Sequence, residues 1–272
     1  MTFILIYILI MMLVKPNIVS KEVIEATTIW YYNLLPTMYP SFVIIDLMIN
    51  SKLSSKLEKL LFPIFRTIFN INFPKSSLII LFALISGAPT STKIIKSALD
   101  NKQIDKTEAD NLINIFSTLS LPFTLFIFKK NYLNPLTYYL LLIFISIILM
   151  KFFNKRKKIN LDFKTDSNQD LLKNFFNSIQ KNISIILNIL GIIIFFKVII
   201  NFFLPPNFFL YSYIEILGGI NKNSNTLLIY TSLGFLGLSI HLQIACIYEK
   251  LNYYKFLLLR IPYLFLGLCC FL

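Results

Sequence analysis

The sequence predicts an all-α, polytopic helical membrane protein made of two related halves that contain broken helices. Three observations carry that expectation. The 272 residues are 56% hydrophobic and 15% aromatic, with a mean hydropathy of +0.71, far from the soluble globular norm. The net charge of +13 is concentrated in short basic segments beside apolar runs, the pattern of cytoplasmic loops rather than of a nucleic-acid-binding face. The apolar run 76–99 is interrupted at its centre by Ser86-Gly87-Ala88-Pro89, and a second interruption lies at Gly234 to Gly237.

Taken in order, Met1 to Val14 is apolar without a basic flank or a small-residue cleavage site, and reads as a retained helix that is short for a full span. Residues 18–34 place Lys21, Glu22 and Glu25 ahead of Trp30, Tyr31 and Tyr32, which suits an interfacial amphipathic helix with its aromatic rings at headgroup depth. Pro36 and Pro40 predict a broken helix within 35–50, a short apolar segment that ends near Asp46. Residues 51–75 space Lys52, Lys56, Glu58, Lys59, Arg66 and Lys75 among Leu and Phe, a pattern for an interfacial helix rather than a span.

After the broken run, a charged loop leads into a helix starting at Asp105 or Thr107 with Glu108 in its first turn, and Pro122 marks a kink. Residues 131–150 carry no charge and form the plainest spanning helix. Lys151, Lys155, Arg156, Lys157 and Lys158 follow it directly, which places 151–164 in the cytoplasm. The chain therefore divides into a first membrane half at 1–150, a basic linker at 151–170 and a second membrane half at 171–272.

The second half repeats the first in outline. Asn33 to Pro36 aligns with Asn188 to Gly191, Val43 to Asp46 with Val198 to Asn201, and Gly87 with Gly237. Interrupted segments at corresponding places in two halves point to a transporter-like site near the bilayer midplane, and one plain span between the halves makes the repeat inverted.

Hydrocarbon offers no partner to the backbone groups that such a break frees, so a break must line a protein cavity or be packed by its neighbours. At the first, Pro89 or Thr90 opens a second half-helix, with Thr90, Ser91 and Thr92 able to cap it and Lys93 in its first turn. A cation there opposes the positive helix end, which calls for a negative group nearby, unless the side chain snorkels to an interface. At the second, Gly237 and a Ser239 cap precede the sole histidine, His241, and Gln243. Glu215, an acid in an otherwise uncharged stretch, could pair with Lys93, bind a cation or face water.

Ser239 and His241, two apart on a helix, do not face each other, and no nucleophile elbow, zinc-protease motif, phosphate loop or dinucleotide fingerprint is present, so the reading is not enzymatic. Cys246, Cys269 and Cys270 have neither disulfide nor zinc spacing, and no cofactor is expected.

The ordered set of Leu35-Pro36 with Pro40, Ser86 to Lys93, Thr107 to Asp110, Glu215 to Ile220 and Gly237 to Gln243 resembles integral membrane proteins with the nucleoside-recognition "gate" domain, most of all the sporulation proteins of the YlbJ type. Ser86, Gly87, Pro89 and Lys93 match the first motif, where Ala88 replaces an aromatic residue and Ser91 a glycine. Gly237, Leu238, Ser239, His241 and Gln243 match the second. The resemblance implies two gate-like repeats in a cell-membrane protein of a spore-forming bacterium. On this reading Lys93 and the turn Thr90 to Thr92 hold a small polar or anionic solute, a nucleoside-like one included, Ser239, His241 and Gln243 face it, and Glu215 takes a coupling ion or a proton. The expected partners are the lipid bilayer and such a solute, with homo-oligomers or other membrane proteins left open. The rival expectation is a non-transporting membrane scaffold.

Overall fold

The computed structural model describes residues 2–49, 51–121, 124–125, 133–157, 171–203, 210–216 and 226–269, and all regular structure among them is helical. The kink expected at Pro122, the Lys129-Lys130 stop, the linker beyond Lys157 and Gly218-Gly219 lie outside these residues.

Twelve α-helices longer than a single turn follow in order among the described residues: α1 (Thr2–Val14), α2 (Pro16–Ile29), α3 (Leu35–Ile49), α4 (Lys52–Phe69), α5 (Pro74–Ser86), α6 (Thr90–Asp100), α7 (Lys106–Phe116), α8 (Leu133–Phe153), α9 (Leu171–Phe203), α10 (Thr226–Phe235), α11 (Gly237–Ile247) and α12 (Tyr253–Cys269). Three stretches are long and apolar enough to cross a membrane, 135–153, 172–203 and 227–247, and the bent pair α4–α5 would make a fourth. The chain is thus a multi-pass helical membrane protein by length and composition.

Several elements differ from expectation for physical reasons. The helix does not break at Pro36 and Pro40. A π-helical turn, Trp30–Leu34, joins α2 to α3, with the Leu35 N–H bonded to the Trp30 carbonyl, so the register is widened before the prolines instead of being interrupted by them. Trp30 is turned into the protein. It is 8% exposed and donates from Nε1 to the Ile186 carbonyl at 3.1 Å, in an apolar cluster with Ala26, Leu34, Phe42, Ile189 and Ile193. Gly191, aligned above with Pro36, leaves α9 unbroken over 33 residues.

Other expectations hold. Asp105 caps α7 by accepting the Glu108 N–H. α4 buries Phe62 and Phe69 while Lys56 and Lys59 stay exposed, and it meets α5 at 80°. The main apolar core draws Ile79, Ala83, Ile95 and Phe116 from the first half together with Ile216, Tyr230, Leu236 and Phe256 from the second. That shared core holds the two breaks against each other.

Candidate functional site

α5 ends at Ser86 because Gly87 adopts a φ of +65° and Pro89 has no N–H to continue the ladder. The freed backbone is satisfied within the protein: the Ala88 N–H donates to the Thr118 carbonyl at 2.6 Å, and the Ser91 N–H to the Gly87 carbonyl at 2.9 Å. A Cβ on residue 87 would lie 2.3 Å from the Ser120 nitrogen, so residues 117–120, which follow α7, press directly on this break.

The second break is built alike. Leu236 and Gly237 both have positive φ, 78° and 62°, before α11 begins. A Cβ on Gly237 would meet Ile216 at 3.4 Å and the Ile214 carbonyl at 3.6 Å. The end of a single helical turn, Tyr211–Ile214, and Ile216 after it therefore lie in ordinary van der Waals contact with the second break, a looser fit than residues 117–120 make with the first.

Between the two breaks lies a cavity of about 40 Å³. Ala88 and Pro89 bound it from the first break, Ser239, Ile240 and Gln243 from the second, and Leu119, Ser120, Glu215 and Ile216 from the packing segments. Leu34, Met38, Ile189 and Ile193 complete an otherwise apolar wall. Glu215, wholly buried, is the one charged side chain of the lining among the described residues.

Of the residues singled out in sequence, Pro89, Glu215, Ser239 and Gln243 are brought together here, and Gly87 and Gly237 shape the breaks behind them. The others are placed elsewhere. Ser86 Oγ bonds back to the Phe82 carbonyl at 2.7 Å, and Thr92 Oγ1 lies 3.1 Å from Ser117 Oγ. Neither α6 nor α11 has a side-chain cap: Pro89 and Leu236 occupy the cap positions, and the buried hydroxyls of Thr90 and Ser91 have no hydrogen-bond partner among the described residues.

Lys93 is 4% exposed and does not line the cavity. Its ammonium lies 2.5 Å from Asp46 Oδ2 and also donates to Asn182 Oδ1. Asn182 Nδ2 donates to Asp46 Oδ2 at 3.0 Å, and Ser178 Oγ donates to the same oxygen at 3.2 Å, so α3, α6 and α9 share one polar knot. The charge conflict at the α6 N-terminus is resolved by a protein carboxylate, not by a solute. His241 also points away from the cavity. One ring nitrogen, Nε2, lies 2.7 Å from the Phe235 carbonyl and Nδ1 lies 3.1 Å from the Tyr253 hydroxyl, among the rings of Phe235 and Phe256. A carbonyl can only accept, so Nε2 carries the proton and Nδ1 accepts from Tyr253.

Two further polar centres were not singled out from sequence. The Glu108 carboxylate accepts from the backbone N–H groups of Asn72 and Phe73, from Asn72 Nδ2, from Ser76 Oγ at 2.5 Å and from Asn154 Nδ2. It thereby ties the start of α5 to the chain leaving α8. Arg260, 1% exposed on α12, donates to the Ser117 carbonyl at 2.8 Å and to the Asn114 carbonyl, and so caps the C-terminal end of α7 with a cation.

No protein family, curated protein or solved structure matches the chain.

Proposed function

We propose that this multi-pass membrane protein binds and moves a small polar solute at the cavity between its two broken helices. The observation that supports this is the convergence of both breaks, each with its positive-φ glycine and its packing segment, on one void holding Glu215, Ser239, Gln243 and Ser120. Few polar groups in an apolar wall are the usual make-up of a small-molecule site, and broken helices at depth are the usual make-up of a transporter site. A carboxylate in the lining, with Lys93 engaged by Asp46, favours a neutral or cationic solute over an anion. Pockets for drug-sized ligands run to roughly 300–1,000 Å³. A nucleoside would therefore enter only after the breaks move apart, whereas an ion or a water-sized group fits the cavity as it stands. The resemblance to gate-domain sporulation proteins supports placing this activity in a bacterium building a spore.

A second reading, a non-transporting scaffold of spore formation, is favoured by the internal satisfaction of Lys93 and His241. Uptake of labelled ions, amines, amino acids and nucleosides into proteoliposomes separates the two. Uptake that falls in Gln243→Ala and Glu215→Gln at unchanged protein level supports the transporter; background uptake of every solute supports the scaffold.

A further inference from the structure

The last turn of α4 and the chain leaving α8 are laced together by two arginines. Arg66 Nη2 reaches the Lys157 carbonyl, while Arg156 reaches back to Asn70 Oδ1 through Nε at 3.0 Å and to the Arg66 carbonyl through Nη2. The two arginines are thereby held on adjoining segments, Arg156 exposed and Arg66 half-buried, with the Arg66 guanidinium resting 5.5 Å over the ring of Phe62. Neither arginine forms an ion pair among the described residues. Of the described acids on this side, Asp105 is engaged by Lys157 at 2.5 Å and Glu108 is held by Asn72, Ser76 and Asn154. A guanidinium has five N–H donors. The contacts above use one on Arg66 and two on Arg156, so most of each fork is unspent.

Two guanidinium forks with unspent donors on adjoining segments suit an anion, and the position says which kind. Arg156 comes three residues after the spanning helix α8 ends at Phe153, which puts it at the membrane surface. Arg66 lies on α4, which is bent 80° from α5 and whose Leu60 and Ile64 are 66% and 53% exposed. Apolar side chains in the acyl boundary and arginines at headgroup depth are the arrangement of a lipid-facing interfacial helix. Planar guanidinium forks match phosphate oxygens better than an ammonium does.

We propose that Arg66 and Arg156 form a binding site for the phosphate of an anionic phospholipid, seated where α4 meets the chain leaving α8. The site is independent of the cavity between the breaks. Each basic residue at an anionic surface contributes about 1 kcal/mol, so removing both charges should weaken lipid binding roughly thirty-fold.

The test is thermal unfolding of the full chain in neutral detergent with added phosphatidylglycerol, phosphatidylcholine or inorganic phosphate, at low and high salt. The expected result is a rise in Tm with phosphatidylglycerol alone that shrinks in salt and requires roughly thirty-fold more lipid in Arg66→Gln/Arg156→Gln. Should the double variant fail to fold, Arg156→Gln alone, at an exposed position, serves in its place with an expected loss of about five-fold. An unchanged phosphatidylglycerol response in the variant overturns the site, and an equal response to inorganic phosphate overturns the lipid as its ligand.

Discussion

Lys93 and Asp46 form a nearly dry ion pair, 2.5 Å from Nζ to Oδ2, that joins helices α6 and α3 against Asn182 of α9. Their side chains are 5% and 16% exposed, so solvent screens the pair little. Removing one partner of a buried pair strands the other charge, at about 3–5 kcal/mol, whereas removing both strands no charge. Lys93→Ala should therefore unfold at markedly lower denaturant than the parent, and Lys93→Ala/Asp46→Ala should recover part of the loss. A double variant as unstable as the sum of the singles would show that the pair is not coupled.

Glu108 sets a pH dependence. Burial pushes its carboxyl above the ordinary 4.5, and the hydrogen bonds from Ser76, Asn72 and Asn154 pull it back only in part. A folded-state value above the unfolded one means that the native chain binds this proton more tightly. The contribution is complete below pH 4.5 and declines as pH rises through the higher folded value. Unfolding measured across that window should show the parent losing stability relative to Glu108→Gln, whose neutral amide cannot titrate; parallel curves would contradict the assignment. Glu108→Ala leaves several buried donors without an acceptor and should cost about 3 kcal/mol or more at any pH.

The glycines divide sharply. Gly87→Ala drives a Cβ onto the Ser120 backbone at 2.3 Å in a left-handed conformation and should cost roughly 3 kcal/mol or more. Gly191 lies inside α9, where an added Cβ would meet nothing within 4 Å, and should accept alanine with a gain of up to about 1 kcal/mol. Comparing the unfolding midpoints of the two variants checks both statements.

How much of this was legible in sequence follows from range. The breaks at Ser86 to Pro89 and at Gly237, the Asp105 cap and the 133–153 span were legible because Gly, Pro, Asp and uninterrupted apolar runs act locally. The continuity of the chain into α3 was not, because a π-helical turn five residues wide absorbs Pro36 and Pro40, and no local residue signals it. In the site, Pro89, Glu215, Ser239 and Gln243 were legible as interruptions and polar residues in apolar stretches. Lys93 and His241 looked alike by the same criterion, but their partners, Asp46, Asn182 and Tyr253, come from other helices. The charge conflict at Lys93 did call for a negative neighbour, and Asp46, an acid at the end of an apolar segment, was the residue to suspect.

His241 and Gln243 separate structure from binding. His241→Ala removes the bonds to the Phe235 carbonyl and the Tyr253 hydroxyl and should lower stability by about 2 kcal/mol while leaving solute affinity unchanged. Gln243→Ala should do the reverse, with near-parental unfolding and weakened binding. Unfolding midpoints and solute titrations on the two variants read both effects.

The most direct measurement is the thermal unfolding of the purified protein against a panel of alkali cations, ammonium, small amines, amino acids and nucleosides, repeated in Gln243→Ala and Ser239→Ala. A solute at a hundred times its dissociation constant stabilises the folded state by about 2.7 kcal/mol. The cavity account predicts such a shift for at least one neutral or cationic solute, lost in both variants and kept in His241→Ala. A cooperative transition that no solute moves, or a shift that both cavity variants retain, would contradict it.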